Sequence, residues 1–183
     1  MGQVIHDPDA IENRGSIRGL SLLPIATTMR PTKITFAAVG YFAASSLFGQ
    51  PLANISLRGY EIHVGETSYL SHAQPFANIV RQISGQTESV ADGCISEDSR
   101  IFGTYLHGLF DEDAFRHAFI GAARAYCHLS TAGELNDWGA KRQESLNRLA
   151  SVVSQSLDMR RIFDWVKLSY EPDPLSEARE LAL

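Results

Sequence analysis

The hydrophobic pattern of this chain changes period once, at Asp111. Ahead of that residue apolar side chains alternate with others: Ile34, Phe36 and Ala38 against Thr35 and Ala37, then Leu57, Tyr60, Ile62 and Val64 between Ser56 and Val64, framed by Gly59 and Gly65. Beyond it, Phe115, Phe119, Ala122 and Tyr126 recur at three- and four-residue steps, as do Leu146, Leu149, Val153 and Leu157. A period of two makes one face of a strand apolar, and a period near 3.6 makes one stripe of a helix apolar. The chain therefore reads as strands followed by helices.

Finer signals punctuate that order. Asp7-Pro8-Asp9 and Asn13-Arg14-Gly15 predict turns, and Leu20, Leu22, Leu23 and Ile25 predict a buried turn or edge. Gly40 is expected to interrupt the strand begun at Lys33, and Gly59 and Gly65 to mark a bulge or close backbone approach. Asp92-Gly93 predicts a hairpin, since both residues tolerate positive φ. Glu97-Asp98-Ser99 predicts a turn into a strand over Arg100 to Leu106. Asp111 is the expected N-cap of a helix with Glu112 and Asp113 in its first turn, ending near Leu129. Two packed helices with a break near Asp158 follow, and their apolar stripes read as core. Glu171-Pro172-Asp173-Pro174 opposes further helix.

Composition narrows the function. A chain of 183 residues, 44% hydrophobic and 20% charged, fits a globular domain, and its net charge of −5 without a basic stripe argues against nucleic acid. No apolar run approaches the roughly 20 residues of a membrane helix, and no signal sequence opens the chain, so a cytoplasmic protein without a membrane partner is expected. Cys94 and Cys127 lack CxxC spacing, which predicts neither a zinc site nor a disulfide framework. His6, His72, His117 and His128 show no ligand spacing and read as surface residues.

The candidate chemistry centres on His107, in Gly103-Thr104-Tyr105-Leu106-His107-Gly108-Leu109-Phe110. A strand end holds an imidazole rigidly and leaves its edge open to a cleft. Spacing alone also fits a structural histidine. Glu61 and His63 share one face of the Ser56 to Val64 strand, where they could face solvent, pair with each other or position His107.

Several segments together resemble the glutamine amidotransferase domain at the C-terminus of cobyric acid synthase. They are Gly59-Tyr60-Glu61-Ile62-His63-Val64-Gly65-Glu66-Thr67, Asp92-Gly93 ahead of the Gly103 to Phe110 run, and the opening Asp7-Pro8 through Glu12 with Gly19-Leu20-Ser21-Leu22-Leu23-Pro24 and Thr27. The resemblance implies an α/β fold of flavodoxin-like class I amidotransferase type, of which this chain holds the later half of the sheet and the C-terminal helices. It assigns residues 1–168 to that domain and 169–183 to a tail.

Such domains hydrolyse glutamine with a cysteine on a strand-to-helix elbow and a histidine that activates it. The ammonia then amidates peripheral carboxylates of adenosylcobyrinate a,c-diamide. By motif position His107 is the general base, with Glu61 and His63 as possible supporting residues, whether by direct catalysis, by positioning His107 or by contacting the synthetase domain. The resemblance puts the cysteine elbow just upstream of the Asp7-Pro8 segment, before Met1, so the parent family is a ligase while activity of this chain alone is open. Cys94, in an expected hairpin, lacks an evident means of activation, and Cys127, expected inside the helix, reads as a small buried or half-buried thiol. ATP and magnesium are implied on a separate N-terminal synthetase domain, and no cofactor or metal is expected within this chain. Implied partners are glutamine, a corrinoid carboxylate and that synthetase domain. A glutamate two residues after the histidine orients it in ordinary triad amidotransferases; that position here is Leu109. A cobyrinate a,c-diamide synthase-type fragment and a non-catalytic interaction module are the alternative readings.

Overall fold

The computed structural model describes residues 1–12, 14–83, 86–131, 133 and 136–169. Two compact units are present, Met1–Gly139 and Ala140–Leu183. The expected turn at Asn13 falls partly outside the described residues, and the Glu171 to Pro174 stretch and all but the first residue of the expected tail lie wholly outside them.

The first unit is built on a mixed seven-stranded sheet, which with the helices that follow gives the α/β class the resemblance implied. Its strands are β1 (Val4–Asp7), β2 (Gly15–Arg18), β3 (Ile25–Phe42), β6 (Ser56–Tyr69), β7 (Ala77–Ile83), β8 (Gln86–Asp92) and β11 (Leu106–His107). Two small pairs, β4 (Ser46–Leu47) with β5 (Gln50–Pro51) and β9 (Cys94–Ile95) with β10 (Phe102–Gly103), flank it. Only β1 and β3 run parallel; the other pairings are antiparallel. The expected Asp7-Pro8-Asp9 turn is present, and the Asp7 carboxylate closes it by accepting the N–H groups of Ile11 and Glu12 at 2.8 and 2.9 Å.

β3 and β6 form the backbone of the sheet. Contrary to the expected interruption, Gly40 lies inside β3: a Cβ there would sit 2.2 Å from the Asn78 carbonyl oxygen, so glycine lets β7 approach. The irregularity falls instead between Met29 and Ile34, where Arg30, Pro31, Thr32 and Lys33 stand against Val64 alone. On one face, Ala38 and Phe42 of β3, Leu57 of β6 and Ile79 of β7 are buried with Phe76 and Phe115 in the main core. Leu23, Ile25 and Cys94 form a second, smaller cluster. The apolar face of β6 expected from Tyr60, Ile62 and Val64 is the outer one; Tyr60 is exposed while Leu57 and Glu61 are buried.

The Arg100 to Leu106 segment is not one strand. Ser99 adopts φ +55°, β10 pairs with β9, and Thr104-Tyr105 bend away so that Leu106–His107 can join β6. Nor is there a hairpin at Asp92-Gly93. Gly93 has φ +64° and redirects the chain from β8 into β9, which does not pair with β8, while the Asp92 side chain holds the later bend. A 3₁₀ turn over Leu109–Asp111 takes up Asp111, so Glu112 becomes the N-cap of α1 (Asp113–Tyr126). Phe115 and Ala122 of α1 are buried as the stripe predicts.

The remaining helices are α2 (Trp138–Ser156) and α3 (Met159–Trp165). Asp158 marks the expected break and caps α3, accepting the Arg161 N–H at 3.1 Å. The expected core role of their stripes is not met. Among the described residues α2 buries none, and Leu149 is 59% exposed. A helical period fixes which side chains share a face but not what covers that face.

Candidate functional site

His107 ends β11, where a strand of two residues is held on β6 by the pairs Leu106 to Glu61 and His107 to Tyr60. The contact is close at Gly59, where a Cβ would stand 2.1 Å from the His107 carbonyl oxygen. Gly108 then takes φ +76°, which lets the chain leave the strand at once for the 3₁₀ turn. The imidazole is exposed, and among the described residues it makes no hydrogen bond. Leu109, at the position where a glutamate would orient the ring, is buried in the main core.

Directly opposed residues of an antiparallel pair share a face, and neighbours along a strand do not. His107 therefore lies with Tyr60 on the outer face, and Glu61 and His63 lie on the other. Sequence reasoning correctly put Glu61 and His63 side by side. The structure does not bring either to the His107 ring.

Glu61 and His63 occupy the wall of a cavity of about 470 Å³. Glu61 is only 3% exposed, so its carboxylate needs partners. His63 Nε2 lies 2.9 Å from Glu61 Oε1, and Nδ1 lies 2.5 Å from the Gly65 carbonyl oxygen. A carbonyl only accepts, so in the Nδ1 contact the ring N–H donates to Gly65, while Nε2 faces the Glu61 carboxylate. Arg81 adds an ion pair at 3.5 Å to Glu61 Oε2, packs its guanidinium over Phe36 and reaches Glu88 at 3.2 Å. The His63 ring stacks on Tyr105 with centroids 4.1 Å apart, and the Tyr105 hydroxyl meets Thr67 Oγ1 at 2.8 Å.

Asp92 closes this network from β8. It accepts the Tyr105 N–H at 3.1 Å and the Thr104 hydroxyl, and burial pushes its carboxyl above the ordinary range. Tyr69 donates to the Gly93 carbonyl at 2.7 Å. Burial first, and then the nearby charges of Asp92, Cys94 and Tyr105, push the Tyr69 phenol up to about 12. Sequence reasoning missed Arg81, Asp92 and Tyr105 as members of one group. A signal existed for Arg81, which shares the inner face with buried Ile79 and there demands a carboxylate.

Neither cysteine is set up as a nucleophile. Cys94 is fully buried against Leu23 and Ile25, and burial pushes its thiol up. Cys127 is exposed rather than buried or half-buried, because α1 ends one residue before it. Among the described residues no three His, Cys, Asp or Glu side chains are grouped to hold a metal ion, and no helix is long and apolar enough to cross a membrane. Of the other histidines, His6, His72 and His128 are exposed as expected, whereas His117 is half-buried and meets the Asn136 carbonyl at 3.0 Å.

The model of the CobB/CobQ-like glutamine amidotransferase domain matches residues 1–115. The chain is 38% identical over 167 residues to the cobyric acid synthase of Thermoanaerobacter sp. (strain X514), covering 90% of this chain and 32% of that protein. It is 40% identical over 164 residues to the cobyric acid synthase of Brucella canis, covering 89% and 29%. The cobyric acid synthase of Moorella thermoacetica is 34% identical over 163 residues, covering 88% and 31%. The chain thus spans about a third of the length of these relatives.

Proposed function

The chain belongs to the CobB/CobQ-like glutamine amidotransferase domain family, and on that premise we propose that it supplies the histidine side of the glutaminase site of a cobyric acid synthase. The observation that carries this reading is the similarity to cobyric acid synthases along nine-tenths of the chain, through the segment that bears His107.

In this reading His107 takes the proton from a cysteine thiol, the thiolate attacks the glutamine carboxamide, and His107 returns the proton to the departing ammonia. Water then releases glutamate from the thioester. The ammonia amidates carboxylates of adenosylcobyrinate a,c-diamide, activated by ATP with magnesium on the synthetase portion. The exposed ring supports this role, since a base must reach a proton brought to it from outside the strand.

Glu61 and His63 act in this reading as positioning residues, through the backbone. Glu61 pairs with Leu106 in the ladder, and His63 stacks on Tyr105, so the three residues ending in His107 are held from the inner face. With Leu109 in the core, that scaffold and the Gly59 contact set the ring's orientation.

The test uses the amidotransferase with its cysteine nucleophile and synthetase portion present, carrying His107→Asn. Glutamine-dependent amidation of the corrinoid should be lost, while amidation driven by added ammonium salt should persist. Unchanged glutamine-dependent turnover would overturn the proposal.

A further inference from the structure

We propose that Asp92 and Thr104 are positioning residues for His107, forming a relay in which the carboxylate orients the threonine hydroxyl and that hydroxyl holds the strand bearing the imidazole; this rests on the glutaminase reading of His107. Among the described residues β11 is two residues long and pairs with β6 alone, so the ladder fixes its register and leaves its angle to the segment that enters it. That segment is tied to β8. Asp92, buried at the end of β8, accepts the Tyr105 N–H at Oδ1, 3.1 Å away, and the Thr104 hydroxyl at Oδ2. Thr104 Oγ1 in turn accepts the Leu106 N–H at 3.0 Å. The three residues ahead of His107 are thus held from one side chain. Gly93 makes the reach possible, since at φ +64° it brings the chain so close that a Cβ would stand 2.1 Å from the Gly103 carbonyl oxygen. The Asp92 carbonyl accepts the N–H of Phe76 at 3.1 Å, which anchors the relay in the main core.

Donor and acceptor counting explains why a carboxylate stands there. Thr104 has one hydroxyl proton, and with the Leu106 N–H on an Oγ1 lone pair that proton goes to Asp92. The other Asp92 oxygen faces a second N–H, that of Tyr105. Both partners donate, so the group between them must accept on both sides. A carboxylate does so; an amide of the same shape turns an N–H toward one donor or the other. Burying a carboxylate against neutral donors is unfavourable in itself, and here both oxygens are engaged by the segment that delivers the imidazole. A general base is sensitive to that delivery, because a displacement near 1 Å slows proton transfer about tenfold or more.

The test uses the amidotransferase with its cysteine nucleophile and synthetase portion present. In Thr104→Val, which keeps the side chain's shape without the hydroxyl, and in Asp92→Asn, the glutamine-dependent kcat should fall about tenfold or more, with the KM for glutamine and ammonium-driven amidation unchanged. Thr104→Ser keeps the hydroxyl and should recover most of the loss. An unchanged kcat in both variants, a change confined to KM, or a loss in Thr104→Ser equal to that in Thr104→Val would each overturn the proposal. Amide exchange at Leu106, read by fragmentation mass spectrometry on the same preparation, tests the hold apart from turnover. It should quicken up to about tenfold in Thr104→Val, the effect of one lost hydrogen bond, and stay slow in Thr104→Ser. An exchange rate that does not respond overturns the relay even where His107→Asn abolishes glutamine-dependent turnover and the glutaminase reading stands. If exchange responds while His107→Asn leaves that turnover intact, the hold on the strand stands and the glutaminase reading falls.

Discussion

His107 pairs with Tyr60 across the β6 and β11 ladder, and so stands on the opposite face of the sheet from Glu61, the next residue along. One strand thereby presents the imidazole's neighbour to the outside and a buried charge network to the inside.

Gly59 is the point where β6 and β11 touch most closely. In Gly59→Ala the new methyl would meet the His107 carbonyl oxygen, a backbone atom that cannot swing aside. Glutamine-dependent turnover should fall about tenfold or more, as a displacement near 1 Å commonly does, with ammonia-dependent turnover intact. Equal losses in both assays would place the damage elsewhere.

Removing the Glu61 carboxylate leaves Arg81 and His63 without their shared partner. Glu61→Ala should cost about 3 kcal/mol in urea unfolding, in the range for breaking a buried ion pair, and Glu61→Gln should cost less because its amide oxygen still accepts. A loss under about 1 kcal/mol for the alanine variant would mean the pair is not buried in solution.

Tyr69 should reveal itself at alkaline pH. An unfolded tyrosine gives up its proton near pH 10, whereas the folded Tyr69 keeps it until about 12. The folded state binds more protons in that interval, so the phenol's contribution to stability is complete below pH 10 and is lost as pH rises from there through 12. Thermal unfolding of Tyr69→Phe should therefore fall less steeply across that window than the parent chain. Parallel slopes would contradict the assignment.

The isolated 183-residue chain should release no ammonia from glutamine, and Cys94→Ser should leave that result unchanged. Coupled glutamate dehydrogenase detects the product at low turnover. Activity lost on changing Cys94 would show that the buried thiol is reached after all.

The two helical stripes should behave differently under truncation. Phe115→Ala should cost about 3 to 5 kcal/mol, since the ring is fully buried among Phe42, Phe76 and Phe119. Leu149→Ala should stay within about 0.5 kcal/mol in the same chemical-denaturation assay.

These contrasts mark what the sequence could and could not convey. Strict alternation put Glu61 and His63 on one face, and the run into Gly108 put His107 at a strand end; both hold because a two-residue period is a local property. Gly40 misled because close strand approach and strand interruption call for the same residue. Asp92 was read as half of a turn, while its decisive partners are Thr104 and Tyr105, twelve and thirteen residues away. Leu149 misled for a related reason: coverage of a stripe depends on what packs against it. Composition of a segment reports its own preferences, and long-range pairing lies outside them.

The four-residue excursion of β3 opposite Val64 has a consequence for how such a protein can diversify. The ladder resumes on both sides of it, with Met29 on Gly65 and Ile34 on His63, so length is absorbed locally. Arg30 and its neighbours at the rim of the inner cavity can be lengthened, shortened or recoloured in charge without shifting Tyr60 against His107. The strand pair that bears His107 and the cavity's border are mechanically uncoupled, and selection can retune one while leaving the other in register.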